Sequence, residues 1–284
     1  MDIIEDILSE TPTVPIFHYT SQQGLLGIIK SKTIWATNIR YLNDATEFAY
    51  AVELAQRKIL EIKQTTSTKV DIDLLERINS RLESIEEANI FVCSFSEDGN
   101  LLSQWRAYCP NANGFSIGFE YSQLQGPMDR QSFKLVKCIY DYAIHTQIIR
   151  QLILKSIETF HTKAKLLNEN SGAEDAAKEF VSKFFQISPM LKDSSFSEEK
   201  EWRLISDPIP VNNPQVRFRE GKSMIIPYFE FKLVKEDEHL SIRRIFIGPT
   251  PHNNLSNGSV RDLLFANGVK SWEIRLSRIP YRGW

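Results

Sequence analysis

Two periodicities divide this chain, and together they restrict it to a sheet with helices packed on it. From Asn43 to about Gln64, Phe48, Val52, Ala55, Ile59 and Ile62 recur at helical spacing and predict one long amphipathic helix. Leu74, Leu75, Ile78, Leu82 and Ile85 predict a second in the charged stretch 71–88. Residues 142–167 and 173–185 predict two more, joined by turn residues. Shorter helices are expected at 1–9, after Thr20 or Ser21, and within 251–266. Strand-like runs stand at 16–19, 33–37, 89–95, 115–119, 133–140, 202–206, 224–233, 243–247 and 269–276. Helices early and in the middle, with strands dominating the ends, predict an α+β fold. The expectation is a single domain over 1–284, a mostly antiparallel sheet core with packed helices and a helical insertion at about 142–190.

Charge and cysteine content narrow the setting. Lysine and arginine number 34 against 36 acids, a formal net charge of −2, so no strong overall field draws the chain to nucleic acid or an anionic membrane. A local basic patch stays open, because net charge does not report distribution. Cys93, Cys109 and Cys138 are widely spaced and form no C-x-x-C pair, so neither a disulfide framework nor a zinc ribbon is expected. The acidic, amphipathic start lacks the form of a secretory signal, and no run of about 18 apolar residues occurs. A cytoplasmic protein without membrane contact is expected. The five histidines are scattered and no metal is expected; Walker, dinucleotide-fingerprint, H-E-x-x-H and G-x-S-x-G motifs are missing.

Four segments combine polar and aromatic residues in ways that suit a site. In Phe17-His18-Tyr19-Thr20, strand geometry puts His18 and Tyr19 on opposite faces, and Thr20 falls near a helix start, where backbone N–H groups suit an anion. Taken alone, His18 reads more readily as a hydrogen-bonded structural histidine. In Tyr41-Leu42-Asn43-Asp44 with Glu47, the spacing is that of a helix cap. In the third segment, Val92, Ser94 and Ser96 share one strand face, Phe91, Cys93 and Phe95 the other. Trp105, Arg106 and Tyr108 follow as a unit able to stack on a base and grip phosphate, or as a core tryptophan with a salt-bridged arginine. In the fourth, Glu199, Glu201 and Arg203 would share one strand face, with Trp202 and Leu204 toward the core. That is a surface ion pair of little value, or a place to hold a sugar hydroxyl and a cationic sugar.

These segments, in this order, resemble the bacterial family called domain of unknown function 2971. The matching pieces are His18-Tyr19-Thr20, Ile34–Thr37, Tyr41–Asp44, Phe91–Ser96, Leu101–Tyr108, Gly114–Phe119, Glu199–Ile205 and Ile247-Gly248-Pro249. The family name implies no activity. More distantly, the order of an early strand histidine, a hydroxyl-lined middle strand and a late glutamate resembles the ADP-ribosyltransferase layout. That resemblance implies NAD as substrate. His18 would hold the adenosine ribose and Glu201, or alternatively Glu199, the nicotinamide ribose. Ser94, Ser96 or Tyr41 would support the nicotinamide end, and Arg106 the diphosphate. Tyr19, Thr20, Trp105, Tyr108 and Arg203 complete the expected site. It further implies transfer of ADP-ribose to a macromolecule, protein or nucleic acid, in a toxin or phage-defence setting. A non-catalytic nucleotide- or protein-binding module is the alternative. A metal-dependent nuclease is disfavoured by the near-neutral charge and the lack of clustered acids.

Overall fold

A computed structural model describes residues 3–42, 45–83, 89–109, 114–166 and 169–281. The Asn43/Asp44 cap and Ile85 lie outside the described residues. The architecture is α+β, built on an open, mostly antiparallel sheet of ten strands. In chain order the strands are β1 Ile16–Ser21, β2 Thr33–Asn38, β3 Phe91–Ser96, β4 Gly114–Phe119 and β5 Phe133–Lys137, then β6 Glu201–Ser206, β7 Val216–Glu220, β8 Ile225–Lys232, β9 Arg244–Ile247 and β10 Ile274–Leu276. The helices are α1 Ile3–Ser9, α2 Gln22–Ser31, α3 Ala45–Thr65, α4 Lys69–Glu83, α5 Leu102–Tyr108, α6 Tyr121–Gln131, α7 Tyr142–Leu166, α8 Glu169–Ile187 and α9 Asn253–Ala266.

The two sheet faces carry different cores. Helices α3, α4, α7 and α8 cover one face, where Ala51, Leu54, Leu75, Ile149 and Phe180 meet Val92, Val136 and Ile205. The expected helical segment at 142–190 is α7 and α8, packed with α3 and α4 in one layer. Helices α2, α6 and α9 cover the other face, where Leu25, Leu124 and Leu264 join Phe91, Phe95, Trp202 and Phe231. A small third core sets Phe17 and Tyr19 against Trp105 and Cys109. Each strand divides its side chains between faces because its pleat alternates. Glycine permits close packing where β4 crosses β1: a Cβ on Gly118 would stand 2.5 Å from Phe17 Cε1. Gly118→Ala is expected to cost about 1–3 kcal/mol by displacing that ring, read as a lowered urea midpoint.

Strand β3 is where the sheet divides. All of it beyond Phe91 pairs with β6, from Val92↔Ile205 to Ser96↔Glu201. That occupies one edge. On the other edge β2 pairs only at Phe91 and Val92, and β1 only at Ser96. Two half-sheets therefore leave the same edge: β1-β4-β9-β10 at one end and β2-β8-β7 at the other. Between them the edge of Cys93–Phe95 has no partner strand among the described residues, and a fork opens there.

Candidate functional site

The fork is a cleft of about 1010 Å³. Phe17, His18 and Tyr19 form one wall, and Trp35, Thr37 and the β7–β8 hairpin the other. Val92–Ser96 form the floor, and Gln104, Tyr108, Glu199, Glu201 and Arg203 also line it.

His18 fills the gap in the strand edge. Its Nδ1 lies 3.0 Å from the Ser94 carbonyl, which would otherwise have bonded a neighbouring strand. The ring tilts against Phe95, 5.7 Å between centroids. Burial lowers its pKa, partly offset by the Ser94 carbonyl. A neutral ring that donates from Nδ1 leaves Nε2 as an acceptor for a hydroxyl.

Glu199 and Glu201 sit on a buried charge cluster. Lys192, 2% exposed, places Nζ 2.5 Å from Oε2 of both. Arg203, also 2% exposed, sends Nε to Glu201 Oε1 at 2.9 Å and Nη2 to Oε2 at 3.2 Å, while Nη1 donates to the Pro189 carbonyl. Glu47, from α3, brings Oε2 within 2.7 Å of Arg203 Nη2 as a charge contact rather than an aligned hydrogen bond. Burial alone would raise the Glu201 pKa; Arg203 and Lys192 overcome it and hold the carboxyl at about 2. For Glu47 burial wins, and its pKa lies above the usual carboxylate range. Both Glu201 oxygens are thus committed to cations, while the Glu199 side chain is more open, 15% against 5%.

The expected site residues fall into two groups. His18, Tyr19, Tyr41, Ser94, Ser96, Tyr108, Glu199, Glu201 and Arg203 line one cleft. Within it, Tyr19 Oη donates to the Asp98 carbonyl and accepts from Leu101 N–H, and Ser96 Oγ donates to the Glu199 carbonyl, so these hydroxyls brace loops. Thr20, Trp105 and Arg106 do not line the cleft. Trp105 is 0% exposed, donates to Asn100 and packs edge-on against Tyr19, which closes it to a base. Arg106 faces outward with its guanidinium 5.3 Å from the Tyr281 ring centre. Thr20 Oγ1 packs against Gly24 at the start of α2. Nor is Glu201 a surface carboxylate; it is 4% exposed.

Sequence reasoning missed several lining residues. Gln104 precedes Tyr108 by four on α5, the spacing that puts two side chains on one helix face. Arg219, Lys222 and Met224 come from the hairpin, where Arg217-Phe218-Arg219 alternates as a strand would. Lys192 carries no local signal. Among the described residues no group of histidine, cysteine and acidic side chains could hold a metal ion, and no helix is long and apolar enough to cross a membrane.

A split, mostly antiparallel sheet with a large cleft and a buried charge cluster beside it characterises this α+β protein. Residues 104–204, a little over a third of the chain, match the family described as Protein of unknown function (DUF2971). The match holds Gln104, Tyr108, Lys192, Glu199, Glu201 and Arg203, and leaves out His18. No curated protein and no solved structure matches the chain.

Proposed function

We propose that the cleft binds NAD and that the protein is an ADP-ribosyltransferase-like enzyme with a macromolecular acceptor. The observation that carries this reading is the meeting of His18, Ser94 and the Glu199–Glu201 pair around one cleft, although they lie far apart in the chain. Its volume of about 1010 Å³ is at the upper end of small-molecule sites and admits a dinucleotide. His18 Nε2 accepts from a ribose hydroxyl, and Ser94 and Tyr41 border the nicotinamide end. Arg40, which lines the cleft, takes the diphosphate role that Arg106 is too remote to fill.

In the reaction the bond between nicotinamide and ribose C1′ breaks, and its electron pair leaves with nicotinamide. The ribose gains oxocarbenium character, which a carboxylate stabilises. A nucleophile of the acceptor closes on C1′ and loses its proton to solvent, while nicotinamide departs neutral. Glu199, the more open of the pair, meets the developing cation, while Glu201 anchors the cluster.

The test is calorimetric titration with NAD, together with nicotinamide release from labelled NAD in cell extract. Saturable binding is expected, with turnover lowered on the order of 10²-fold in Glu199→Gln and affinity lowered in His18→Ala. Absence of binding, hydrolysis and transfer would reject the proposal. Binding without nicotinamide release would instead favour a non-catalytic nucleotide-binding module, a role to which the saturated Glu201 is also suited.

A further inference from the structure

The half-sheet β2-β8-β7 turns one face toward the cleft, and that face carries an aromatic and cationic surface. Cross-strand register aligns Thr37, Tyr228 and Arg217 in one row and Ile226 with Arg219 in the next. Trp35 stands diagonally from Tyr228, with ring centroids 4.3 Å apart and planes 31° from parallel. Within this pair Tyr228 is buried, whereas Trp35 keeps 49% of its surface exposed.

The cations stand beside this platform. Arg217 is exposed, and its Nη1 donates to the Pro214 carbonyl, which fixes the guanidinium plane. Arg219 reaches Thr37 Oγ1 at 3.3 Å, and its buried Nε has no hydrogen-bond partner among the described residues. Lys222 is exposed at the hairpin turn. Between Val216 and Ile226 three cations thus stand against the single acid Glu220. Glu230 shares the face, 3.7 Å from Arg217 Nε, too far for a hydrogen bond.

We propose that this face binds single-stranded nucleic acid, with a base stacked on Trp35 and the flanking phosphates on Arg217, Arg219 and Lys222. β7 lies two strands from β2, about 10 Å across the sheet at about 4.8 Å per strand, and Arg219 reaches back over that width to Thr37 beside Trp35. That spacing suits phosphates flanking a stacked base. Aromatic stacking beside cations is how single strands are held without sequence preference. A membrane fits less well, because the exposed apolar residues Phe218 and Ile225 project from the opposite face of the hairpin. An acidic peptide would use the cations but leave the flat indole without a matching surface. Where the proposed NAD reaction holds, such a strand is the acceptor; the binding itself does not depend on that reaction.

The experiment is fluorescence anisotropy of a labelled twelve-residue oligothymidylate without NAD, run beside vesicles containing phosphatidylserine. Saturable oligonucleotide binding is expected. With three phosphate contacts the affinity should fall about 20-fold between 50 and 200 mM salt. Trp35→Ala and Arg217→Glu should each weaken it by about tenfold or more, and Phe218→Ser should leave it unchanged. Arg217 does not line the cleft, so Arg217→Glu should retain NAD binding; that separates a failure here from a failure of the NAD reading. Absence of oligonucleotide binding, equal affinity in Trp35→Ala and Arg217→Glu, or binding to vesicles alone would overturn the proposal.

Discussion

Arg203→Ala is expected to destabilise the protein by about 3–5 kcal/mol, a large fraction of the roughly 5–15 kcal/mol that holds a typical domain folded. Arg203 meets both Glu201 and Glu47 at closer range to Glu47 than Lys192 does, and it also donates to the Pro189 carbonyl. Its removal leaves two carboxylates in the interior with Lys192 as their shared cation. Removing one partner of a buried pair costs far more than an exposed pair is worth, because the remaining charge cannot recover its hydration. The exposed Lys178–Glu174 pair is the natural control, and Lys178→Ala should change stability by less than about 1 kcal/mol. Urea unfolding followed by tryptophan fluorescence measures both. An Arg203→Ala protein as stable as wild type would mean that the cluster does not hold these elements together.

Acid is expected to remove the same support without mutation. Glu201 has a folded pKa of about 2 against 4.5 for a free glutamate, so it contributes about 3 kcal/mol that is fully present above pH 4.5 and lost as pH falls through 2. The sign follows from proton counting: between those values the unfolded chain binds the proton and the folded chain does not. Glu47, with its pKa raised by burial, acts in the opposite sense and offsets part of the loss as it takes up a proton. Compared with Glu201→Gln, wild type should therefore hold its largest advantage above pH 4.5, and that advantage should shrink by about 3 kcal/mol on approach to pH 2. A gap independent of pH would show that Glu201 acts through shape and hydrogen bonding instead of charge.

The parts of this site that were legible in the sequence are those governed by strand alternation. Ser94 and Ser96 on one side of β3 and Phe91, Cys93 and Phe95 on the other follow from period two, and so do Glu201 and Arg203 against Trp202 and Leu204. Arg106 was misplaced because α5 is helical: consecutive residues there diverge by about 100°, so a buried Trp105 turns its neighbour outward. Helix α6 was not anticipated, since Gly126-Pro127 reads as a break, although a proline near the centre is accommodated there. Strand β7 follows a run of prolines and asparagines that conceals its short alternation. Lys192 could not be found from spacing, because the turn Ser194–Glu199 folds it back onto Glu201. The burial of Glu201 depends on the α7–α8 layer and α3, which no local pattern reports.

The single strand shared by both half-sheets has a bearing on how this protein can diversify. β3 has six residues, and at about 3.4 Å per residue it spans about 20 Å. β1 and β2 are fastened near its two ends, so the width between them is set by covalent chain length. Neither half-sheet can close on the other without breaking its bonds to that common edge. Substitutions along the walls can therefore change which chemical groups are received while the aperture keeps its size, and only insertion or deletion within β3 would alter the dimensions of what enters.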